Sequence, residues 1–294
     1  MITKTRIWAL IVLVIALATT VLAAGCGDSD DSTSTTGSSS GSTSGGAIDL
    51  SGVTLLKDGT LTVGSDIPFP PFEQGDPPDY EGFDIDLINA VADKLGLDTE
   101  IKDAPFNLLL SGGGGQFDLA IAATTITPER AQKVDFSDPY FDAEQGLLVP
   151  EGSDIQTVDD LSGKIVGAQE GTTGQTYAED NTDASEVRPF PQIDNAYNAL
   201  KTGQVDAVLN DLPSVQDAAD KLGGLEVVQD FPTDEQYGIY AQKGSPVIPA
   251  VDEALQQVKD DGTLNDLYQK WFKIDAPKDV LQGGPAAALS GSGG

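Results

Sequence analysis

One stretch of the sequence, "AATTITPERAQKVDFSDPY" at residues 122–140, contains the residue types that bind an anion. Thr127 is followed by Pro128, a pair typical of a helix start in which the threonine is the cap. Arg130 would then lie one turn into that helix, beside unpaired backbone N–H groups and the positive end of the helix dipole. A carboxylate or phosphate would fit there, because guanidinium donates paired hydrogen bonds in one plane, and Thr125 could add a hydroxyl.

Acidic residues follow two of the predicted strands. Asp66 comes directly after "TLTVGS", at the strand end where ligands of open α/β sheets bind, and it could hold an ammonium group. Asn210 and Asp211 end a second strand, in "VLNDLP". The sequence therefore offers both an anion site and candidate partners for a cation.

Each of these features also has a purely structural explanation. Arg130 could equally form a surface ion pair with Asp135 or Asp138. Asp211, taken alone, is better explained as the cap of a helix that begins near Pro213. The phenylalanines of "VGSDIPFPPFE", Phe69 and Phe72, would then be ordinary core residues.

Alternating strands and helices must position these residues. In "FDIDLINAVADKLG" the apolar residues recur at helical spacing, with Asp84 as a candidate cap and Gly96 as the stop. The alternation predicts α/β architecture with largely parallel sheets. The pattern restarts at "GKIVGAQ", which suggests a second lobe; the elements predicted after that are the helices "TGQTYAED", "DNAYNALKTG", "VIPAVDEALQQVKDD" and "TLNDLYQKWF" and the strands "EVRPF" and "DAVLND".

Composition excludes several classes of function. The formal net charge is −31, so a nucleic-acid partner is not expected. The chain has no histidine and a single cysteine, which rules out His/Cys zinc sites, a Ser-His-Asp triad and a Cys-His dyad. We therefore expect no catalytic residues, no metal and no cofactor.

The two ends of the chain differ from the middle. Residues 1–25 form an export signal, and Ala23-Ala24-Gly25-Cys26 resembles the lipobox of bacterial lipoproteins, in which the cysteine is lipidated. An uncleaved membrane anchor is the alternative. Residues 26–52 are predicted to be a flexible linker and residues 276–294 a disordered tail.

Seven stretches in order resemble the family 3 extracellular solute-binding proteins, the amino-acid receptors of ATP-binding-cassette (ABC) importers. They are "GSDIPFPPFE", "YEGFDIDLINAVADKLG", "FDLAIAATTITPERAQKVDFSDPYF", "DLSGKIVGAQEGTTGQTYAE", "ALKTGQVDAVLND", "YGIYAQKGS" and "DGTLNDLYQKWF". The resemblance implies a two-lobe, type II periplasmic-binding-protein fold whose lobes are joined by two hinge strands. Lobe 1 would comprise residues 53–142 plus 239–275, and lobe 2 residues 143–238.

The same resemblance implies roles for particular residues. Arg130, assisted by Thr125 and Thr173, would bind the α-carboxylate of an amino acid, and Asp211 would bind its α-ammonium group. The remaining expected ligand-binding residues are Asp66 at the same end of the cleft, Ala122 and Ala123 through their backbones, Phe69 and Phe106 as stacking rings, and Gln169 and Asn210 as readers of the ligand's side chain. Phe106 begins "FNLLLSGGGGQFD", in which four glycines disfavour a helix, so we expect that helix to be frayed.

The sequence thus predicts a lipid-anchored, extracytoplasmic receptor that delivers a polar or cationic amino acid to the permease subunits of an ABC importer. The membrane contact would be the lipid at Cys26, and we expect a monomer. Two alternatives stay open: a cyclohexadienyl dehydratase-like enzyme of the same fold, and an extracellular sensory module.

Overall fold

A computed structural model describes residues 47–284 together with residues 286 and 289. The strands are β1 (Thr60–Ser65), β2 (Gln74–Asp76), β3 (Asp79–Glu81), β4 (Asp98–Asp103), β5 (Leu119–Ala120), β6 (Val134–Phe136), β7 (Phe141–Pro150), β8 (Ile165–Gln169), β9 (Glu186–Phe190), β10 (Ala207–Asp211), β11 (Leu225–Tyr237) and β12 (Tyr240–Gln242). The helices are α1 (Phe83–Leu95), α2 (Phe106–Leu110), α3 (Thr173–Asn181), α4 (Ile193–Lys201), α5 (Leu212–Leu222), α6 (Val247–Asp260), α7 (Thr263–Trp271) and α8 (Lys278–Gln282). This alternation confirms the predicted α/β class.

Two five-stranded sheets organise these elements. The first has the strand order β4-β1-β5-β12-β6 and the second β11-β7-β10-β8-β9. In the first sheet β1 runs parallel to β4 and β5, and in the second β8 runs parallel to β9 and β10. The chain passes between the sheets twice, from β6 into β7 and from β11 into β12, and β7 and β11 are paired antiparallel. These two long strands correspond to the expected hinge.

Helix α1 begins differently from the prediction. Its N-cap is Gly82, with φ 141°, and the side chain of Asp84 does not cap it. Asp84 is instead fully buried, and its Oδ2 accepts hydrogen bonds from the backbone N–H of Ala123 and the hydroxyl of Tyr140. At the other end, Gly96 stops the helix in the left-handed conformation, as the sequence indicated.

The segment after Thr127 is not an α-helix. Thr127 Oγ1 does accept a hydrogen bond from the backbone N–H of Arg130, at 3.1 Å, so the capping interaction is formed. The chain then makes only a short 3₁₀ turn over Arg130–Gln132 before it enters β6. The prediction that Arg130 lies in the first turn of an α-helix is therefore wrong, and a single 3₁₀ turn supplies no helix dipole of that kind.

Two further segments bear on the predictions. Helix α2 ends at Leu110, and Gly112 to Gly115 all have positive φ, so the four glycines shorten the helix as expected. The tail departs from the predicted disorder, because residues 278–282 form α8 and its Val280 is fully buried.

The export signal, Cys26 and most of the linker lie outside the described residues. None of the helices in the described range has the length and apolar character that crossing a bilayer requires.

Aromatic rings pack around the start of the hinge. Phe141, the first residue of β7, stacks on Tyr237, the last residue of β11, with ring centroids 5.4 Å apart. Phe72 packs edge-on against Phe141 at 5.1 Å, and Phe272 lies 5.0 Å from Phe141. This cluster fixes the hinge strands to the first lobe and holds the loop that carries Glu73.

Gly82 sets the position of that loop. A Cβ atom at residue 82 would lie 2.0 Å from the carbonyl oxygen of Phe72 and 2.8 Å from the backbone nitrogen of Glu73. We predict that Gly82→Ala lowers the free energy of unfolding by about 3 kcal/mol, since the backbone has no room to yield and φ is positive. Thermal unfolding measures this, with Gly52→Ala as the control, because a Cβ there meets nothing within 4 Å. Equal melting temperatures for the two variants would contradict this account.

Candidate functional site

A buried cavity between the two sheets brings most of the predicted residues together. Its lining comprises Asp66, Phe69, Glu73, Phe106, Ala122, Ala123, Thr125, Arg130, Gln169, Thr172, Thr173 and Asp211. Of the predicted site residues in the described range, all except Asn210 are in this set. The free space inside is about 20 Å³, room for one or two water molecules, so the lobes are closed on one another here.

Strand topology explains the convergence. Asp66 follows β1, the alanines follow β5, Gln169 ends β8 and Asp211 ends β10, so each lies at the carboxyl end of a parallel strand. Successive side chains of a strand point to opposite faces, so Asn210 and Asp211 cannot both enter the cleft. Asn210 is buried on the other side, where its Nδ2 donates to the hydroxyl of Tyr197 at 3.2 Å. The prediction that Asn210 reads the ligand is therefore wrong.

Arg130 lies inside the cavity, and the surface ion pair is excluded. Its Nη1 donates to the carbonyl oxygen of Thr125 at 2.8 Å, and its Nη2 donates across the cleft to the carbonyl oxygen of Gly171 at 3.0 Å. The ring of Phe106 has its centroid 5.4 Å from the guanidinium carbon. Asp135, one of the surface partners considered, pairs with Lys243 instead. Burial lowers the pKa of Arg130, but an arginine in a protein stays charged.

Asp211 faces the same cavity from the second lobe. It occupies the N-cap position of α5 but makes no capping hydrogen bond. Its carboxylate accepts hydrogen bonds from Gln145 Nε2 and, at 2.6 Å, from the hydroxyl of Tyr237. Burial, and then the charge of Glu235, raise the pKa of Asp211 to about 7. The capping explanation thus fails, and Asp211 is a buried carboxyl group poised between its neutral and charged forms.

The two threonines expected to bind a carboxylate already hold one. Glu235 Oε2 accepts hydrogen bonds from Thr173 Oγ1 at 3.1 Å and from Thr125 Oγ1 at 3.3 Å, and also from Gln145 Nε2 at 3.2 Å. Burial raises the pKa of Glu235 above its ordinary value. Glu235 was not predicted from the sequence, because its position depends on an irregularity in β11 between Pro232 and Glu235 that no local pattern marks.

The other end of the cavity is acidic. Asp66 accepts a hydrogen bond from Gln169 Nε2 across the cleft at 2.6 Å, and burial raises its pKa to about 6. Glu73 is fully buried, and its carboxyl group has no donor beside it other than the buried carboxyl group of Asp84, with which it interacts. Burial, followed by the charges of Asp84 and Asp66, raises the pKa of Glu73. The sequence suggested roles for the neighbouring Phe69 and Phe72, but no role for Glu73 was predicted from it.

The backbone of the two alanines is less available than expected. Ala123 has a positive φ of 41°, and its N–H donates to Asp84 Oδ2 at 2.7 Å. The carbonyl oxygen of Ala122 accepts from Thr124 Oγ1 at 3.0 Å. The N–H of Ala123 therefore positions Asp84, so the expectation that it serves a ligand is not met in this structure.

The raised pKa of Asp211 predicts the direction of pH dependence. Its pKa rises from 3.8 to about 7 on folding, so the folded chain retains a proton that the unfolded chain releases. The resulting stability is fully present below about pH 4 and is lost as the pH rises through about 7. We predict that Asp211→Asn raises the melting temperature at pH 8 and flattens its decline between pH 5 and 8, and that the exposed control Asp58→Asn does neither. A lower melting temperature for Asp211→Asn at pH 8 would show that the carboxylate is stabilising.

The chain as a whole is similar to a family of binding proteins. Residues 61–274 match the family model described as bacterial extracellular solute-binding proteins, family 3. The chain is 33% identical over 226 residues to the L-cystine-binding protein TcyJ of Escherichia coli strain K12, an alignment that covers 75% of this chain and 85% of the relative. It is 37% identical to the ABC transporter glutamine-binding protein GlnH of Bacillus subtilis strain 168, covering 67% and 74% respectively.

The fold is also similar to that of a binding protein whose structure has been solved. The arginine-, lysine-, histidine-binding protein ArtJ from Geobacillus stearothermophilus superimposes with a TM-score of 0.71 at 36% identity. The alignment covers 76% of this chain and 99% of that one. Both the sequence and the fold therefore point to one class of protein.

Proposed function

The chain belongs to the family 3 bacterial extracellular solute-binding proteins, and on that premise we propose that it binds a free amino acid between its lobes and delivers it to an ABC importer. The observation that carries this proposal is the meeting of Arg130, Thr125 and Thr173 with Asp211 around one buried cavity. Relatives named for cystine, glutamine and arginine binding support an amino acid as the ligand. The acidic groups in the cavity favour a polar or cationic side chain over an acidic one.

The chemistry of an amino acid matches these groups at both ends. Its α-carboxylate would accept hydrogen bonds from the guanidinium of Arg130 and from the hydroxyls of Thr125 and Thr173. Its ammonium group would donate to the carboxylate of Asp211. Burying either charge of the ligand without a partner would cost about 3–5 kcal/mol, which is the cost of leaving one member of a buried ion pair alone. Each charge-assisted hydrogen bond contributes about 1.5–3 kcal/mol, so the set suffices for tight binding.

Binding requires the lobes to open first. The closed cavity has only about 20 Å³ of free space, and Glu235 occupies the two threonine hydroxyls that the ligand carboxylate needs. An incoming amino acid replaces the Glu235 carboxylate there and takes Arg130 away from the carbonyl oxygen of Gly171. Because its two charged ends then bind opposite lobes, the ligand stabilises the closed form, which is the form an importer recognises.

The ligand's side chain would lie between the rings of Phe69 and Phe106, towards Asp66 and Gln169. Phe69 lines the cavity and packs on Phe72, with centroids 6.1 Å apart, so its ring is fixed by the core. The ring of Phe106 packs against the guanidinium group of Arg130, 5.4 Å from its central carbon. Rigid rings of this kind position an aliphatic or polar side chain without a large loss of conformational entropy.

Location and partners follow from the same proposal. Lipidation of Cys26 would tether the receptor outside the cell membrane, and residues 26–52 would give it reach to the permease subunits. We propose that it acts as a monomer and has no catalytic activity. Release of water from prephenate or arogenate by the purified protein would instead support the dehydratase alternative.

We predict that Arg130→Ala abolishes binding of every amino acid. A screen of the common amino acids by thermal shift tests this, because a ligand at about 100 times its dissociation constant adds about 2.7 kcal/mol of stability to the wild type. Arg188→Ala is the matched control, since Arg188 pairs with Glu186 on the surface of the second lobe. A shift of the same size in Arg130→Ala would exclude the proposed site, and no shift in the wild type would exclude amino acids as ligands.

A further inference from the structure

The carboxyl group of Glu235 lies where the proposed function puts the α-carboxylate of the ligand. Its Oε2 accepts hydrogen bonds from Thr173 Oγ1 at 3.1 Å and from Thr125 Oγ1 at 3.3 Å, the two hydroxyls assigned to the ligand. Gln145 Nε2 donates a third hydrogen bond to the same oxygen at 3.2 Å. The positive charge of Arg130 also acts on Glu235. A side chain of the protein therefore makes the contacts that a bound carboxylate would make.

An irregular stretch of β11 brings Glu235 to this position. The pairing of β11 with β7 shifts register between Pro232 and Glu235, and Asp234 within this stretch has a φ of 52°. Residues other than glycine seldom adopt a positive φ, because the conformation costs free energy. Irregularities of this kind turn side chains away from the directions that a regular strand would give them. The hinge strand thus departs from regular geometry where it directs a carboxylate at the two threonines.

The hydrogen bonds of Glu235 connect the two lobes. Thr125 follows β5 of the first sheet, and Thr173 begins α3, which follows β8 of the second sheet. A single carboxylate oxygen bridges these hydroxyls, as the α-carboxylate of an amino acid would. Each hydroxyl has only one proton to donate, so Glu235 and a ligand carboxylate cannot both accept from it at the same time.

A displaced Glu235 side chain has space beside the cavity. A groove of about 950 Å³ lies next to Glu235, which lines this groove and not the cavity. Arg130, Thr172 and Thr173 line both and form the boundary between them. Lys133 lines the groove as well and offers a cation to a carboxylate there. The carboxylate can therefore leave the two hydroxyls for the groove.

We propose that Glu235 is a tethered substitute for the ligand's α-carboxylate, which competes with amino acids for Thr125 and Thr173 but not with the corresponding decarboxylated amines. This inference rests on the proposed function, because it assumes that the two threonines bind the α-carboxylate. It adds a residue that sets the affinity for amino acids and the discrimination between an amino acid and its amine. An amine has only its ammonium group for Asp211 and leaves Glu235 in place, whereas an amino acid must break the hydrogen bonds of Glu235.

Titration calorimetry with Glu235→Ala tests the inference. The probes are arginine and glutamine with their decarboxylated counterparts, agmatine and γ-aminobutyramide; for another amino acid found in the thermal-shift screen, its own amine is the counterpart. An amino acid that the wild type binds should bind about 10-fold or more tightly to the variant, the factor expected when a competing charge-assisted hydrogen bond is removed. The amines should bind no more tightly to the variant, since they do not displace Glu235 from the wild type.

Small-angle X-ray scattering of the protein without added amino acid gives a second readout. Because Glu235 joins Thr125 to Thr173, its removal should shift the protein towards an open form and increase the radius of gyration. Saturation with the amino acid that the wild type binds should bring both proteins to the same radius of gyration. The ligand then supplies the bridging carboxylate in each of them.

Asp230→Ala is the matched control, since Asp230 is an exposed carboxylate on the same strand. It should change neither the affinities nor the radius of gyration. Weaker binding of amino acids to Glu235→Ala would show that Glu235 contacts the ligand. An equal gain for amino acids and amines would show that Glu235 only holds the lobes together. Either result overturns the inference.

The possible failures are distinguishable. If the wild type binds an amino acid and Glu235→Ala binds it no more tightly, the proposed function stands and the inference is wrong. If the wild type binds no amino acid in the screen, both are wrong. If Glu235→Ala does not fold, as circular dichroism would show, Glu235→Gln replaces it, because the amide keeps the size of the side chain and removes the competing charge. The affinity ratio of amino acid to amine should then rise in the same direction, and an unchanged ratio would overturn the inference.

Discussion

Burial of charge in the cleft is the constraint on which the site depends. One guanidinium and several carboxyl groups are removed from water between two sheets, and in the closed structure they satisfy each other only in part. Arg130 bonds to backbone carbonyl oxygens, and burial, followed by the charge of Glu235, raises the pKa of Asp211 to about 7. Such a site is more costly to close when empty than when it contains a molecule with matching charges. The affinity for ligand and the instability of the empty cleft have the same physical origin.

Rigid surroundings make this arrangement possible. The aromatic cluster of Phe72, Phe141, Tyr237 and Phe272 joins both hinge strands to the first lobe, and the hydroxyl of Tyr237 reaches from this cluster to Asp211. Tyr237 thereby links the hinge strands to the carboxyl group that we propose binds the ammonium group of the ligand. Close packing permits discrete rearrangements of such elements more readily than gradual deformation.

Sequence reasoning predicted the strands and helices well and the side-chain environment less well. The strand over Thr60–Ser65 and the stop at Gly96 follow from local residue patterns, so they were found directly. The direction of Asn210 could have been inferred from strand alternation once Asp211 was assigned to the cleft. Glu73 and Glu235 could not be assigned in that way, because their roles depend on contacts with residues distant in the chain. Likewise, the turn at Arg130 resembles a helix start in sequence, but the adjoining strand β6 ends it after one turn.

The hydrogen bond from Arg130 to Gly171 has a consequence for the range of concentrations to which the receptor responds. The guanidinium that we propose binds the ligand also connects the closed lobes through this hydrogen bond, so a ligand would compete with the protein's own backbone. The apparent dissociation constant is the intrinsic one divided by the fraction of molecules that are open. If about one molecule in ten is open, the receptor half-saturates at about ten times the intrinsic value. On the proposed function, the hydrogen bond between Arg130 and Gly171 would therefore set the sensitivity of the receptor independently of the contacts that determine which amino acid is bound.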